Sequence, residues 1–263
     1  MADESTAGGR AAHDPVERFG NRVADYVRWR PGYPAALTAH LRARNWLWPG
    51  ASVADVGAGT GISSALFLDA GCVVHAVEPN APMREAAAEW LGSRDGFHAV
   101  DGRAEATTLA GGSIDLVAAG TAFHWFDAAP TRAEFARILR PDGHVVLFWN
   151  VRRQDGFMLE YEAILRAHCR DYAEVESGRR ADEPVIRAFF GAGFLETAAF
   201  PNAQRLDFEG VLGRARSSSY APRPGDESYE PLRDALRDAF ERSAVDGHVT
   251  LNYDTRLYAG RMP

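Results

Sequence analysis

The chain has 263 residues, 46% of them hydrophobic and 25% charged, with a formal net charge of −7. Such a composition is ordinary for one large globular domain, and with no basic face standing out, nucleic acid is not an expected partner. Lysine is absent and all 29 basic residues are arginine, which excludes a pyridoxal Schiff base and the phosphate-cradling lysine of a P-loop.

Residues 1–14 are small, polar and mixed in charge. They are expected to form a disordered tail, and they lack the apolar stretch of a signal peptide. Pro15 then opens a helical pattern in which Val16, Phe19, Val23, Tyr26 and Val27 recur at three- and four-residue steps. Arg30-Pro31-Gly32-Tyr33-Pro34 breaks it, and a second helix is expected over 35–44.

The middle of the chain alternates strand and helix. Strands are expected at 52–56, 72–78, 97–100, 113–119 and 144–149, with helices at 62–70, 81–91 and 131–139. Pro141-Asp142-Gly143 reads as a turn. Alternation at this spacing implies a parallel sheet covered on both faces. Beyond it the pattern is less regular: helices are expected at 156–171, 184–190, 208–215 and 229–244, and strands at 198–206 and 249–258.

Two cysteines, Cys72 and Cys169, lie far apart, which suits a reducing cytoplasm and not a disulfide framework. No window approaches the roughly 20 apolar residues that span a bilayer, so no membrane partner is expected. The eight histidines show no metal-type pairing, and no metal site is expected. The sequence leaves the oligomeric state open.

The chemistry concentrates after the first strand. Val53-Ala54-Asp55-Val56 runs directly into Gly57-Ala58-Gly59-Thr60-Gly61, and the second strand ends in Glu78. Glycines tolerate φ > 0 and let the backbone approach a ligand closely. An acid about 20 residues on stands where a ribose hydroxyl pair is read, so the pairing points to a nucleoside ligand. A dehydrogenase binding NAD shares these two features, but no hydride-transfer partner residue is evident.

Three details sharpen the motif. Asp55 lies two residues before Gly57, Gly61 follows Gly59 by two residues, and an Arg-Pro-Asp-Gly turn precedes the fifth strand. With these, residues 15–150 resemble the class I S-adenosylmethionine-dependent methyltransferases. The segments Ser113-Ile114-Asp115-Leu116-Val117 and Ala122-Phe123-His124-Trp125-Phe126-Asp127, with the Arg-Pro-Gly-Tyr-Pro turn, are similar to the small-molecule branch related to trans-aconitate methyltransferases.

The resemblance implies a Rossmann-like α/β fold: a seven-stranded, mostly parallel sheet of order 3-2-1-4-5-7-6, strand 7 antiparallel, with a helical substrate cap. Residues 15–263 would form a single methyltransferase domain. Within it, 15–150 would be the cofactor core, 151–245 the cap with strand 6, and 246–263 the final strand. The cofactor implied is S-adenosylmethionine and the partner a small-molecule methyl acceptor, with oxygen favoured as the methylated atom. Glu78 would hold the ribose. Gly57, Ala58, Gly59, Thr60 and Gly61 would pass against the amino-acid tail, and Asp55 would either hold its ammonium or cap the following helix. Pro79 and Met83 would wall the adenine, and Gly102, Arg103, Ala104 and Glu105 would read its edge. Gly120, Thr121 and Trp125 would lie near the sulfonium, and Tyr26 would close over the tail. His124 is the candidate general base, since its ordinary pKa is near 6.5. Tyr33, Trp149, Arg152, Tyr161 and Tyr220 are the candidate substrate contacts, Arg152 suiting an anionic group. A cofactor-binding protein that keeps this fold without turnover is the non-enzyme alternative.

Overall fold

A computed structural model describes residues 27–173 and 182–262. The expected tail, most of the helix expected from Pro15, and Tyr26 lie outside the described residues.

The first strands are short and apolar because helices cover them on both sides. β1 (Ser52–Val56) buries every residue but its first. β2 (Val73–Val77) and β3 (Phe97–Val100) pair beside it in parallel. β4 (Ile114–Gly120) flanks β1 on the other side, and β5 (Leu139–Arg152) pairs with β4, both in parallel. Before β1 stands α1 (Ala35–Ala43); α2 (Ile62–Asp69) and α3 (Ala81–Leu91) follow β1 and β2, and α4 (Ala128–Ile138) precedes β5.

After β5 come α5 (Gly156–His168), α6 (Glu183–Phe190), β6 (Phe194–Leu206), α7 (Phe208–Arg216), α8 (Tyr229–Ser243) and β7 (Val249–Gly260). β7 runs antiparallel to both β5 and β6, so the sheet order is β3-β2-β1-β4-β5-β7-β6. This is the architecture that the resemblance implied. β6 is an edge strand, and its burial alternates strictly along its length, as a strand covered on one face should.

The expected turn at Pro141-Asp142-Gly143 takes the form of a bulge. Ile114 pairs with Leu139 and Leu116 with His144, so residues 140–143 loop out of the ladder while the strand continues.

Three apolar clusters follow from this layering. One holds Phe135, Ile138, Phe189 and Phe190 against one sheet face, and another holds Leu37, Leu41 and Phe67 against the opposite face. The third is the cap: Phe157, Tyr161 and Leu165 of α5, Val211 of α7, and Leu232 and Leu236 of α8 close on Leu251 and Tyr253 of β7. The antiparallel β6–β7 pair thus extends past the carboxyl ends of the parallel strands and carries the cap core there. A cleft remains between the two cores.

Candidate active site

The cleft, about 290 Å³, opens at the carboxyl ends of β1, β2, β4 and β5, where doubly wound sheets take ligands. Its floor is the turn after β1. Gly57 has φ of +70°, and a Cβ there would lie 2.6 Å from the Ala122 Cβ. Gly61 at the start of α2 has φ of +90°, and its Cβ would strike Leu91 at 2.7 Å. Both the left-handed backbone and the close approach require glycine.

Glu78 closes β2 and is only 7% exposed. Its Oε2 accepts the Gly59 N–H at 2.9 Å and its Oε1 accepts the Asn80 N–H at 2.8 Å. Burial raises the carboxyl above its ordinary pKa, opposed by these two N–H groups and by Arg84. The carboxylate therefore ties the glycine turn to the start of α3, where Asn80 also caps the helix by accepting the Met83 N–H at 3.1 Å. Lone pairs remain for further donors, because an ionised carboxylate can accept about four hydrogen bonds.

Asp55 lies one layer below the cleft wall, not in it. It is fully buried, and its Oδ2 accepts the Ser63 and Ser64 hydroxyls at 2.7 and 2.6 Å. Its Oδ1 has no hydrogen-bond partner. Burial pushes its pKa from 3.8 to about 6, partly offset by the two serines. Asp55 thus binds two serine side chains at the start of α2, while the helix itself, N-capped by Gly61, has no side-chain cap. Ser63 itself reaches the cleft.

Gly57, Ala58, Gly59, Glu78, Pro79, Met83, Arg103, Ala104, Glu105, Gly120 and Thr121 line the cleft, together with His124, Trp125 and Tyr33. Thr60, Gly61 and Gly102 do not; they shape the turns behind it. Arg103 is largely exposed and pairs with Glu105 at 3.3 Å, while the other Glu105 oxygen accepts the Asp127 N–H at 2.9 Å. Thr121, a β-branched residue, holds φ of +56°, a conformation that costs energy and clusters at functional sites. Its N–H donates to the Phe148 carbonyl at 2.8 Å, and its hydroxyl bonds Tyr33 Oη at 3.0 Å. His124 and Trp125 lie side by side with ring centroids 4.9 Å apart, in a short 3₁₀ turn over Phe123–Trp125.

A strap crosses the cleft. Residues 29–33 are held by Gln204 on the Trp29 carbonyl at 2.9 Å, and by Asn150 and Asn202 on the Gly32 carbonyl at 3.0 and 2.8 Å.

The expected substrate contacts divide. Tyr33 lines the cleft, but Trp149, Arg152, Tyr161 and Tyr220 do not. Trp149 packs edge-on to Tyr258 in the sheet core. Tyr161 is buried in the cap core, and Tyr220 accepts from Arg152 at 2.8 Å. Arg152 is neutralised by Glu162 at 3.4 Å. Packing keeps both Trp149 and Arg152 out of the cleft: Trp149 goes into the sheet core and Arg152 onto Glu162 of α5.

Asn80, Phe126 and Arg214 line the cleft without having been singled out. Arg214 gave no signal among 29 arginines; only the fold of α7 brings it there.

The sheet order, with a glycine turn after β1 and an acid closing β2, defines a doubly wound α/β protein with its cleft at the carboxyl ends of the parallel strands. Residues 54–147 match the family described as "Methyltransferase domain". An uncharacterized methyltransferase of Mycobacterium tuberculosis is 38% identical over 136 residues, 51% of this chain and 52% of that protein. The match thus spans about half the length of that relative. The malonyl-[acyl-carrier protein] O-methyltransferase of Enterobacter lignolyticus is 31% identical over 172 residues, 65% of each chain. A protein of Anaeromyxobacter dehalogenans, assigned provisionally as a type II methyltransferase, superposes with a TM-score of 0.66 at 25% identity, covering 89% of this chain and 98% of that one. Residues 54–147 thus match a methyltransferase domain, and the relatives and the sheet order support a class I methyltransferase, which weighs against the dehydrogenase reading.

Proposed function

We propose that this protein transfers the methyl group of S-adenosylmethionine to a small organic acceptor and releases S-adenosylhomocysteine. The observation that carries the reading is Glu78, a nearly buried carboxylate held by the Gly59 and Asn80 N–H groups at the end of β2. On this reading it takes the ribose hydroxyl pair as charge-assisted hydrogen bonds. Pro79 and Met83 wall the adenine, and the Ala104–Glu105 turn meets its edge. The Gly57–Gly59 backbone passes against the amino-acid tail. Asp55 acts behind the wall, orienting the Ser63 hydroxyl toward that tail.

Gly120 and Thr121 then border the sulfonium, with Tyr33 fixing the strained Thr121 backbone. His124 and Trp125 face the acceptor. Bringing nucleophile, methyl and sulfur into line supplies most of the rate, since alignment alone is worth ~7–11 kcal/mol. His124 adds proton removal where the acceptor is a hydroxyl. Oxygen is the favoured acceptor atom, in keeping with the O-methyltransferase relative.

Residues 15–150 form the cofactor core on this reading, residues 151–245 the cap, and residues 246–263 the final strand. Cys72 and Cys169 are both buried, which fits a cytoplasmic enzyme. No helix among the described residues is long and apolar enough to cross a membrane.

Calorimetry with S-adenosylhomocysteine and with NAD tests the proposal. Binding of the first alone is the expected result; binding of NAD alone would overturn it. Released S-adenosylhomocysteine in an acceptor screen separates an enzyme from a binding protein on the same fold.

A further inference from the structure

The cap side of the cleft holds a cation without an anion. Arg214 of α7 lines the cleft yet is only 3% exposed. Its Nε has no hydrogen-bond partner, and its Nη1 reaches Ser218 Oγ only at 3.4 Å. Among the described residues no carboxylate pairs with it. The nearby acid, Glu162, already serves Arg152 at 3.4 Å, Arg166 at 3.5 Å and Gln154 at 2.8 Å. Arg30 brings a second guanidinium to the same wall, donating to the Ser217 carbonyl at 3.0 Å.

Two more polar groups share this layer. Tyr161 and Tyr253 are 0% and 1% exposed, and neither hydroxyl has a hydrogen-bond partner. Both interact electrostatically with the Arg214 guanidinium, more strongly than Arg152 and Tyr220 do. Burial raises the Tyr161 phenol above its ordinary pKa, so it stays a neutral donor and does not balance the arginine. An unpaired buried charge is strongly unfavourable, and buried polar groups in native proteins nearly always find partners. A planar guanidinium fork at the cleft wall matches a carboxylate or a phosphate.

We infer that Arg214 forms an oxyanion subsite on the cleft wall that holds a carboxylate or phosphate group of the methyl acceptor, with Tyr161 and Tyr253 in the cap core behind it. The inference rests on reading the cleft as a methyltransferase site. It assigns the anion to Arg214 and leaves Arg152 as a structural ion pair with Glu162.

The test uses the full chain saturated with S-adenosylhomocysteine, titrated with succinate or with inorganic phosphate at constant ionic strength. Melting temperature and calorimetric heat are followed. Wild-type protein is expected to bind at least one of the two anions, and which of them binds distinguishes carboxylate from phosphate. Arg214→Met is expected to abolish that response and, without anion, to melt at or above wild type, because an uncompensated charge has been removed. Arg214→Lys keeps the charge but loses the planar fork and is expected to weaken the anion about tenfold; it decides the matter if Arg214→Met does not fold. A wild type deaf to both anions, or either variant with an unchanged response, overturns the subsite. Loss of S-adenosylhomocysteine binding by wild type would strike the methyltransferase reading instead, so the two failures are distinguishable.

Discussion

The two walls of the cleft treat buried charge in opposite ways. On the cofactor wall, Glu78 is buried but satisfied within the protein by the Gly59 and Asn80 N–H groups. On the cap wall, Arg152 is satisfied by Glu162 while Arg214 has no acid of its own. The first wall is complete before ligand arrives, as a site for an invariable ribose can be. The second carries charge that only a ligand balances, as a site that selects its substrate would.

Four substitutions break or sharpen that contrast. Arg152→Met should cost most in stability, on the order of 3–5 kcal/mol, because it removes the buried cation shared by Glu162, Tyr172 and Tyr220 and leaves Glu162 only Gln154 and the exposed Arg166. Denaturant unfolding measures it, and a loss no larger than a surface change would show that Arg152 is not the structural cation. His124→Gln should lower turnover about a hundredfold or more if a hydroxyl acceptor must lose its proton. A loss below tenfold would remove His124 from the base role and leave alignment as the catalyst.

Asp55 tests the layer beneath the cofactor wall. Its folded pKa of about 6 stands above the ordinary 3.8, so the folded state holds its proton more tightly than the unfolded chain. Its contribution to stability is therefore full below about pH 4 and is lost as pH rises through about 6. Relative to Asp55→Asn, wild type should lose on the order of 2–3 kcal/mol across that window. Unfolding curves from pH 4 to pH 7 check the slope; a difference that stays flat would place the ionised form in the native state throughout. Glu78→Ala should weaken S-adenosylhomocysteine binding by about 1–3 kcal/mol with little change in anion binding at the cap. Equal loss at both sites would mean that the walls are not independent.

Much of the cofactor wall could be read from residues alone because its contacts are local. β1, its glycine turn and the start of α2 are contiguous, and Glu78 follows from the next strand, so periodicity and spacing locate them together. The helix at Ala81–Leu91 falls where the apolar pattern put it. Asp55 shows the limit: its spacing was visible, but the Ser63 and Ser64 hydroxyls that hold it below the wall depend on how α2 turns back over β1. The cap was far less legible. Trp149 and Arg152 stand at a strand end, where ligands are met, yet the long β7 partner and α5 draw both into packing.

The sequence by itself determined the alternating framework, the nucleoside-shaped turn and the acid that closes it, since each depends on neighbours a few residues away and on backbone freedom that only glycine has. The tertiary structure alone decided which arginine lines the cleft. Arg152 and Arg214 lie 62 positions apart in a chain of 29 arginines. Their difference comes from Glu162, which packing sets beside one and not the other, and no local pattern records that.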